Sequence, residues 1–401
     1  ATGRVASQGE DVDIAIGLRL DELAPVGALL GLPATGALDT DLRLMGDATE
    51  PRLAIDLDAT GRDIAFEDAL LSALVGPSPD LTAAAALDGG TLAIERASFA
   101  FAGADVELSG AAGDTLDLAV SASAADLSRF SRPLGTDLAG ALAIESRIAG
   151  PAADPVVTAR LRGSRMAAVG ISLGDPTADV TVTQLADAPR GEISLSGTPA
   201  GAPMTATTGF HLQDGGGMRL DGIIVEGNAT RVVGDLSIRP DGLVDGRLNG
   251  TSGDLSRWQD LAGTSLAGTA ELRLSLGAER SGQRVVVAAS GSDLVVADTA
   301  NAAAWQLDLT VVDAFGRPVL DGALTAHTIL ADGLAIDRLT ATAEGPLADL
   351  DWTIYGAGPG DPVEAVAAAG RLSLDDGRLT VERLRATLPP VDAALTRPAT
   401  V

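Results

Sequence analysis

The sequence predicts an all-β protein: an elongated, twisted antiparallel β-sheet with a few short helices, its apolar face either packed on itself or curled into an open hydrophobic groove. Three observations predict it. Apolar and polar residues alternate at period two in run after run, Asp-Gly pairs punctuate the runs, and no long amphipathic helix is present to cover the apolar side.

The runs come first. Leu53, Ile55 and Leu57 alternate with Arg52, Asp56 and Asp58, and Leu116, Leu118 and Val120 alternate with Asp117, Ala119 and Ser121. Leu272, Leu274 and Leu276 alternate with Glu271, Arg273 and Ser275, and Leu307, Leu309 and Val311 with Asp308 and Thr310. Side chains on a strand point to opposite faces in turn, so each run is a strand with one apolar and one wet face. Turn formers are expected at Asp88-Gly89-Gly90, Asp214-Gly215, Asp241-Gly242, Asp245-Gly246, Asp321-Gly322, Asp332-Gly333 and Asp376-Gly377. Short helices are expected near Phe66 to Val75 and Val363 to Ala369. Two more begin at the N-cap-type acids Asp126 and Asp254.

Internal repeats set the organisation. With Glu22, Asp126 and Asp254 as position zero, position one is Leu23, Leu127 and Leu255, and position four is Val26, Phe130 and Trp258. Glycines recur at position nine (Gly31, Gly135, Gly263) and position fourteen (Gly36, Gly140, Gly268). Pro51 and Pro155 share position twenty-nine, where the third copy has Gln283. We therefore expect residues 1–401 to be one continuous elongated β-repeat region. The chain begins with Ala1 and ends at Val401, which reads as an internal piece of a longer protein. A second motif places an acid-Arg pair at Glu95-Arg96, Asp337-Arg338 and Glu382-Arg383, with the apolar parity changing across each. A one-residue slip would reverse the faces, so a bulge, kink or strand boundary is expected there.

Composition excludes several function classes. The 28 basic and 55 acidic residues leave a net charge of −27, the wrong sign for wrapping nucleic acid. There is no cysteine, so neither thiolate metal sites nor cysteine nucleophiles are available. His211 and His327 stand far apart, and neither a Gly-x-Ser-x-Gly elbow nor a His-x-x-x-His pair occurs. Asp39/Asp41 and Asp56/Asp58 read as a solvated strand face rather than a calcium site. No cofactor is expected. What remains is the apolar face itself. It is rich in Leu, Ile, Val and Ala and poor in rings, which suits flexible acyl chains. The candidate groove-lining residues are Leu53, Ile55, Leu57, Leu116, Leu118, Val120, Leu272, Leu274, Leu307 and Leu309.

The run Asp126-Leu127-Ser128-Arg129-Phe130, then Leu138-Ala139-Gly140, then Gly150 and Pro155, resembles the repeats of the TamB/AsmA-like family. So does the segment from Asp376 to Leu384. The resemblance implies a β-taco-like sheet. It also implies a non-enzymatic conduit in the periplasm of a Gram-negative bacterium that carries phospholipid between inner and outer membranes and supports outer-membrane biogenesis. As partners it implies a TamA-like outer-membrane barrel, bound through regions outside this sequence, and the inner membrane, through an N-terminal anchor. Two other readings fit the residues: a structural β-repeat of the autotransporter-passenger or adhesin kind, and a chaperone-like groove for outer-membrane strands.

Overall fold

In a computed structural model the alternating runs become long strands, each paired with the next along the chain. The structure describes residues 2–8, 11–25, 33–47, 52–168, 170–213, 215–280, 282–331, 334–358, 364–373, 377–388 and 391–400. Strand accounts for 71% of it and helix for 7%, in an antiparallel sheet that does not close into a barrel. The chain divides into two compact units, Ala1–Pro203 and Met204–Val401.

Each unit is a meander. In the first, Asp11–Leu20 pairs with Ala34–Asp47, which pairs with Arg52–Phe66, and the order continues through Asp80–Asp88, Thr91–Ala100, Asp105–Ala112 and Thr115–Ala124. In the second, Met204–Leu212 begins an equally regular series that reaches Arg378–Leu388. Some neighbouring strands are joined by tight turns, as at 89–90 and 113–114, and others through helical segments, as at 69–75 and 127–134.

Among the described residues no second layer covers the sheet of either unit. The chain keeps 23409 Å² of accessible surface, whereas two separate globules of half its mass would keep about 17,000 Å². The closest strand-to-strand approaches are between ladder partners. Among the described residues the buried apolar side chains are scattered, and several belong to bulges or to the helical rim: Ile64, Ala97, Leu127 and Phe130.

The three repeat copies have a common physical basis. Gly36, Gly140 and Gly268 all adopt positive φ (112°, 101° and 110°). Each faces a bulge on the neighbouring strand whose central residue is left-handed: Asp63, Arg165 and Asp293, at φ 54°, 47° and 52°. A Cβ on any of these glycines would lie 2.6–2.8 Å from the bulge's carbonyl oxygens, so the position admits no side chain. The register shifts accordingly between Thr35 and Ala37 and between Ser164 and Ala167. The position-zero acids open short helical turns. Asp126 Oδ1 accepts from Ser128 N–H at 2.9 Å and Asp254 Oδ1 from Ser256 N–H at 3.0 Å. Gly135 and Gly263, at φ 64° and 67°, end the helical segments that follow. Gly31 and Pro51 lie outside the described residues.

Gln283, where the other copies have proline, has no solvent-exposed surface. Its amide oxygen accepts from Val244 N–H at 2.7 Å, and its amide nitrogen donates to the Val244 and Arg284 carbonyls at 2.9 and 3.0 Å.

The acid-Arg pairs fall at irregularities. Ala84 pairs with Arg96 and Ala85 with Ile94, leaving Glu95 bulged out, and Glu382 is bulged in the same way. At Asp337 the register is kept but pairing lapses opposite Thr328, which sits at φ 51°. Three expectations need correction. The helix expected from Val363 to Ala369 is replaced by a strand, Glu364–Ser373, held by ladders on both sides that override the helix preference of its alanines; Val363 lies outside the described residues. Asp245-Gly246 and Asp321-Gly322 are not turns but lie inside strands Val244–Ser252 and Val319–Ala331. Gly246 lies opposite Leu236 and Gly322 opposite Leu309, and a Cβ on either glycine would crowd that leucine. By contrast, Ala69–Val75 is a helix as the spacing predicts, capped by Asp68. Asp214, Asp332-Gly333 and Asp376 lie outside the described residues.

Candidate functional site: an uncovered apolar sheet face

Partners directly opposite in an antiparallel ladder point to the same face. The register therefore gives the composition of each face, row by row. In the first unit one row runs Ile16, Leu42, Leu57, Ala83, Ala97, Leu108, Val120, Ser146, Ala159, Val180, Ile193. At a strand spacing of about 4.8 Å those ten steps span about 48 Å. The next row runs Ile14, Leu44, Ile55, Ala85, Ile94, Gly110, Leu118, Ile148, Val157, Val182. A third joins Leu53, Leu87, Leu92, Ala112, Leu116 and Gly150. The six candidates of this unit thus fall in three adjacent rows of one face: Leu53 with Leu116, Ile55 with Leu118, and Leu57 with Val120.

The second unit repeats the arrangement. Leu272, Ala289, Leu307, Leu324, Ala341 and Ile354 form one row, and Leu274, Val287, Leu309, Gly322, Ala343 and Trp352 its neighbour. Leu272, Leu274, Leu307 and Leu309 therefore share one face of this unit. All ten candidates are partly exposed or, for Leu272 at 37%, exposed. The rows carry no charged residue; Ser146 is the single hydroxyl in the first row.

Sequence reasoning did not pick out Trp305 and Trp352. Trp305 pairs with Gly291 and Ala326 in the ladder, Trp352 with Ala343 and Gly370, and both belong to the apolar face. Their indole N–H groups are buried without a hydrogen-bond partner. The only available signal was a large ring at an apolar parity position opposite a glycine.

The other face is charged. Every basic residue in the chain is Arg, whose planar fork suits carboxylates. Arg43 holds both oxygens of Asp13, at 3.1 and 2.8 Å. Arg19 and Arg62 both reach Asp39, at 2.5 and 2.6 Å. Arg147–Asp117, Arg160–Asp179 and Arg162–Glu145 continue the pattern at 2.7–2.8 Å. These pairs are exposed and screened by water, so they add little stability; they mark this side of the sheet as polar. Hydrogen bonds from Arg43 and Arg19 hold the Asp13 and Asp39 carboxyls below the usual carboxylate range, and the Ser128 and Ser256 bonds do the same for Asp126 and Asp254.

A recess of about 790 Å³ lies in the first unit, and most of its lining belongs to the charged face: Asp41, Arg43, Asp56, Asp58, Thr82 and Arg96. Asp41, Asp56 and Asp58 line this recess, and Asp39 is paired with Arg19 and Arg62 on the same side of the sheet. His211 is exposed, 3.3 Å from Asp221, and His327 lies within strand Val319–Ala331. Among the described residues no group of three His, Cys, Asp or Glu side chains could hold a metal ion, and no helix is long and apolar enough to cross a membrane.

The site is thus a broad apolar surface on an all-β meander, with a charged reverse side. No family model matches the chain, nor does a curated protein or a solved structure.

Proposed function

We propose that this chain is a stretch of a non-enzymatic, periplasmic lipid conduit of the TamB/AsmA-like kind, whose apolar sheet face carries phospholipid acyl chains. The observation that carries the reading is the row structure: two rows that cross eleven and ten strands of the first unit with Ser146 as their one polar residue, and no covering layer among the described residues. A large uncovered apolar surface marks a binding surface. Each methylene laid against it gains up to about 0.8 kcal/mol, so a chain of ~10 partly covered methylenes gains several kcal/mol. A structural β-repeat would instead pack this face upon itself. Passage between inner and outer membranes, an inner-membrane anchor and a TamA-like barrel partner belong to the same reading and come from the repeat resemblance. Native mass spectrometry of the purified chain tests it: phospholipid should be retained at more than one copy per chain. A lipid-free chain that also takes none from phosphatidylcholine vesicles would overturn it.

A further inference from the structure

Phe315 sits at the tip of the turn between strands Ala300–Val312 and Val319–Ala331 and is 71% exposed, the highest value among the large apolar side chains of the described residues. The turns at 89–90, 113–114, 228–229 and 240–242 are built instead from Gly, Asp, Asn, Pro and Ala. No loose loop throws the ring outward, because the turn is held from several sides. Asp313, at φ 55°, accepts from Arg317 N–H on Oδ2 at 2.8 Å, and its carbonyl accepts from Gly316 N–H at 3.0 Å. Ala314 N–H donates to the Gln283 carbonyl at 2.8 Å. A Cβ on Gly316 would lie 2.5 Å from the Asp313 carboxylate, so a bare Cα lets the turn close on that group.

The ring has apolar company. Val319, itself exposed, pairs with Val312 on one side and with the exposed Pro346 on the other. Leu347 N–H donates to the Pro318 carbonyl at 3.3 Å, which sets the next turn of this rim against the first. One step inward, Leu276, Val285, Val311 and Leu320 form a row of the apolar face, so the tip stands directly beyond that face. Arg317 is exposed and pairs with no carboxylate among the described residues. We propose that the turn 313–318 is where the second unit touches a phospholipid bilayer, with Phe315 entering the interface and the Arg317 guanidinium meeting a lipid phosphate. A ring and an unpaired guanidinium, side by side on a fixed turn, match a surface that is apolar beneath and phosphate above. The inference deepens the lipid reading, since a face that carries acyl chains needs a place to exchange them with a bilayer. One ring and one cation hold a bilayer only briefly, and the chain's net −27 opposes anionic membranes, so the contact serves exchange rather than anchoring.

The chain has no cysteine, so Phe315→Cys and Asp298→Cys each carry one environment-sensitive fluorophore, at the turns on opposite ends of strand Ala300–Val312. Phosphatidylcholine vesicles should shift the emission of the probe at 315 to the blue and leave that at 298 unchanged. Without labels, Phe315→Ser and Arg317→Gln should each slow lipid uptake from the same vesicles several-fold, while melting temperature and the final amount of bound lipid stay as in the parent. Phe315→Trp should load at the parental rate. A probe at 315 that responds to vesicles no more than the one at 298 would overturn the proposal. So would Phe315→Ser loading at the parental rate, or a blue shift that follows protein concentration without vesicles, which would give the ring to a second copy of the chain. A probe that enters the bilayer while no lipid is ever retained by the chain would uphold the contact and remove the conduit reading.

Discussion

Gly140 and Arg165 face each other across one ladder, both with positive φ, at 101° and 47°. A Cβ on Gly140 would stand 2.6 Å from the Arg165 carbonyl oxygen. Gly36 with Asp63 and Gly268 with Asp293 share the geometry. The irregular repeat is therefore a repeated corner: a glycine that lets two backbones close on each other around a bulge.

Replacing Gly140 or Gly268 by Ala should destabilise its unit by at least about 1–3 kcal/mol, the cost of holding a non-glycine residue in strained backbone. The collision with the bulge carbonyls adds to that. Replacing Gly89, which has positive φ but no neighbour within 4 Å, should cost less. Urea unfolding midpoints of the three variants check the order.

The Gln283 bracket gives a second expectation. Gln283→Leu keeps the volume but strands the Val244 N–H and carbonyl, and each unmet buried group costs about 1–3 kcal/mol. The second unit should melt several degrees lower, while a surface change such as Gln306→Leu should leave the melt nearly unaltered.

Acid should act through the paired carboxylates. Asp13, Asp39, Asp126 and Asp254 all have lowered folded-state pKa values, so the folded chain binds fewer protons than the unfolded one. Their contribution is fully present above the ordinary carboxylate range and is lost as pH falls below it through the folded values. Melting temperature should be level from neutral pH to the start of that range and then drop. Asp254→Asn keeps a capping oxygen but removes the titration, so it should flatten part of the drop.

The strand rows were legible in the sequence because period-two alternation is local and register follows from short turns. The corners were legible only in half. Gly36, Gly140 and Gly268 align, but the left-handed partners are Asp, Arg and Asp, so no one residue type marks the position. Their signal was the glycine two residues earlier and the apolar residue just after, in Gly61-Arg62-Asp63-Ile64, Gly163-Ser164-Arg165-Met166 and Gly291-Ser292-Asp293-Leu294. The Val363–Ala369 segment misleads because its alanines favour helix while its neighbours in space supply ladders. Asp321-Gly322 misleads because a strand glycine opposite a leucine has the same letters as a turn. Which rows join into one face depends on register across many strands, and no single run contains that information.

A carboxylate on the apolar face separates an open surface from a closed core. Leu118→Asp or Leu274→Asp in a dry core would cost several kcal/mol. On these uncovered rows the new carboxylate stays partly hydrated, so the melt should shift by only a few degrees while bound lipid falls sharply. Ser121→Asp, on the charged face, should leave bound lipid unchanged.

Trp305 and Trp352 lie on the apolar face of the second unit, so their fluorescence can report directly whether acyl chains reach it. Phospholipid brominated along its acyl chains, presented in vesicles, should quench a Trp258→Phe variant that retains these two rings. The quenching should be lost when Leu274→Asp is added. Fluorescence unchanged by the brominated lipid, while lipid is demonstrably bound to the chain, would place the cargo elsewhere and contradict the account.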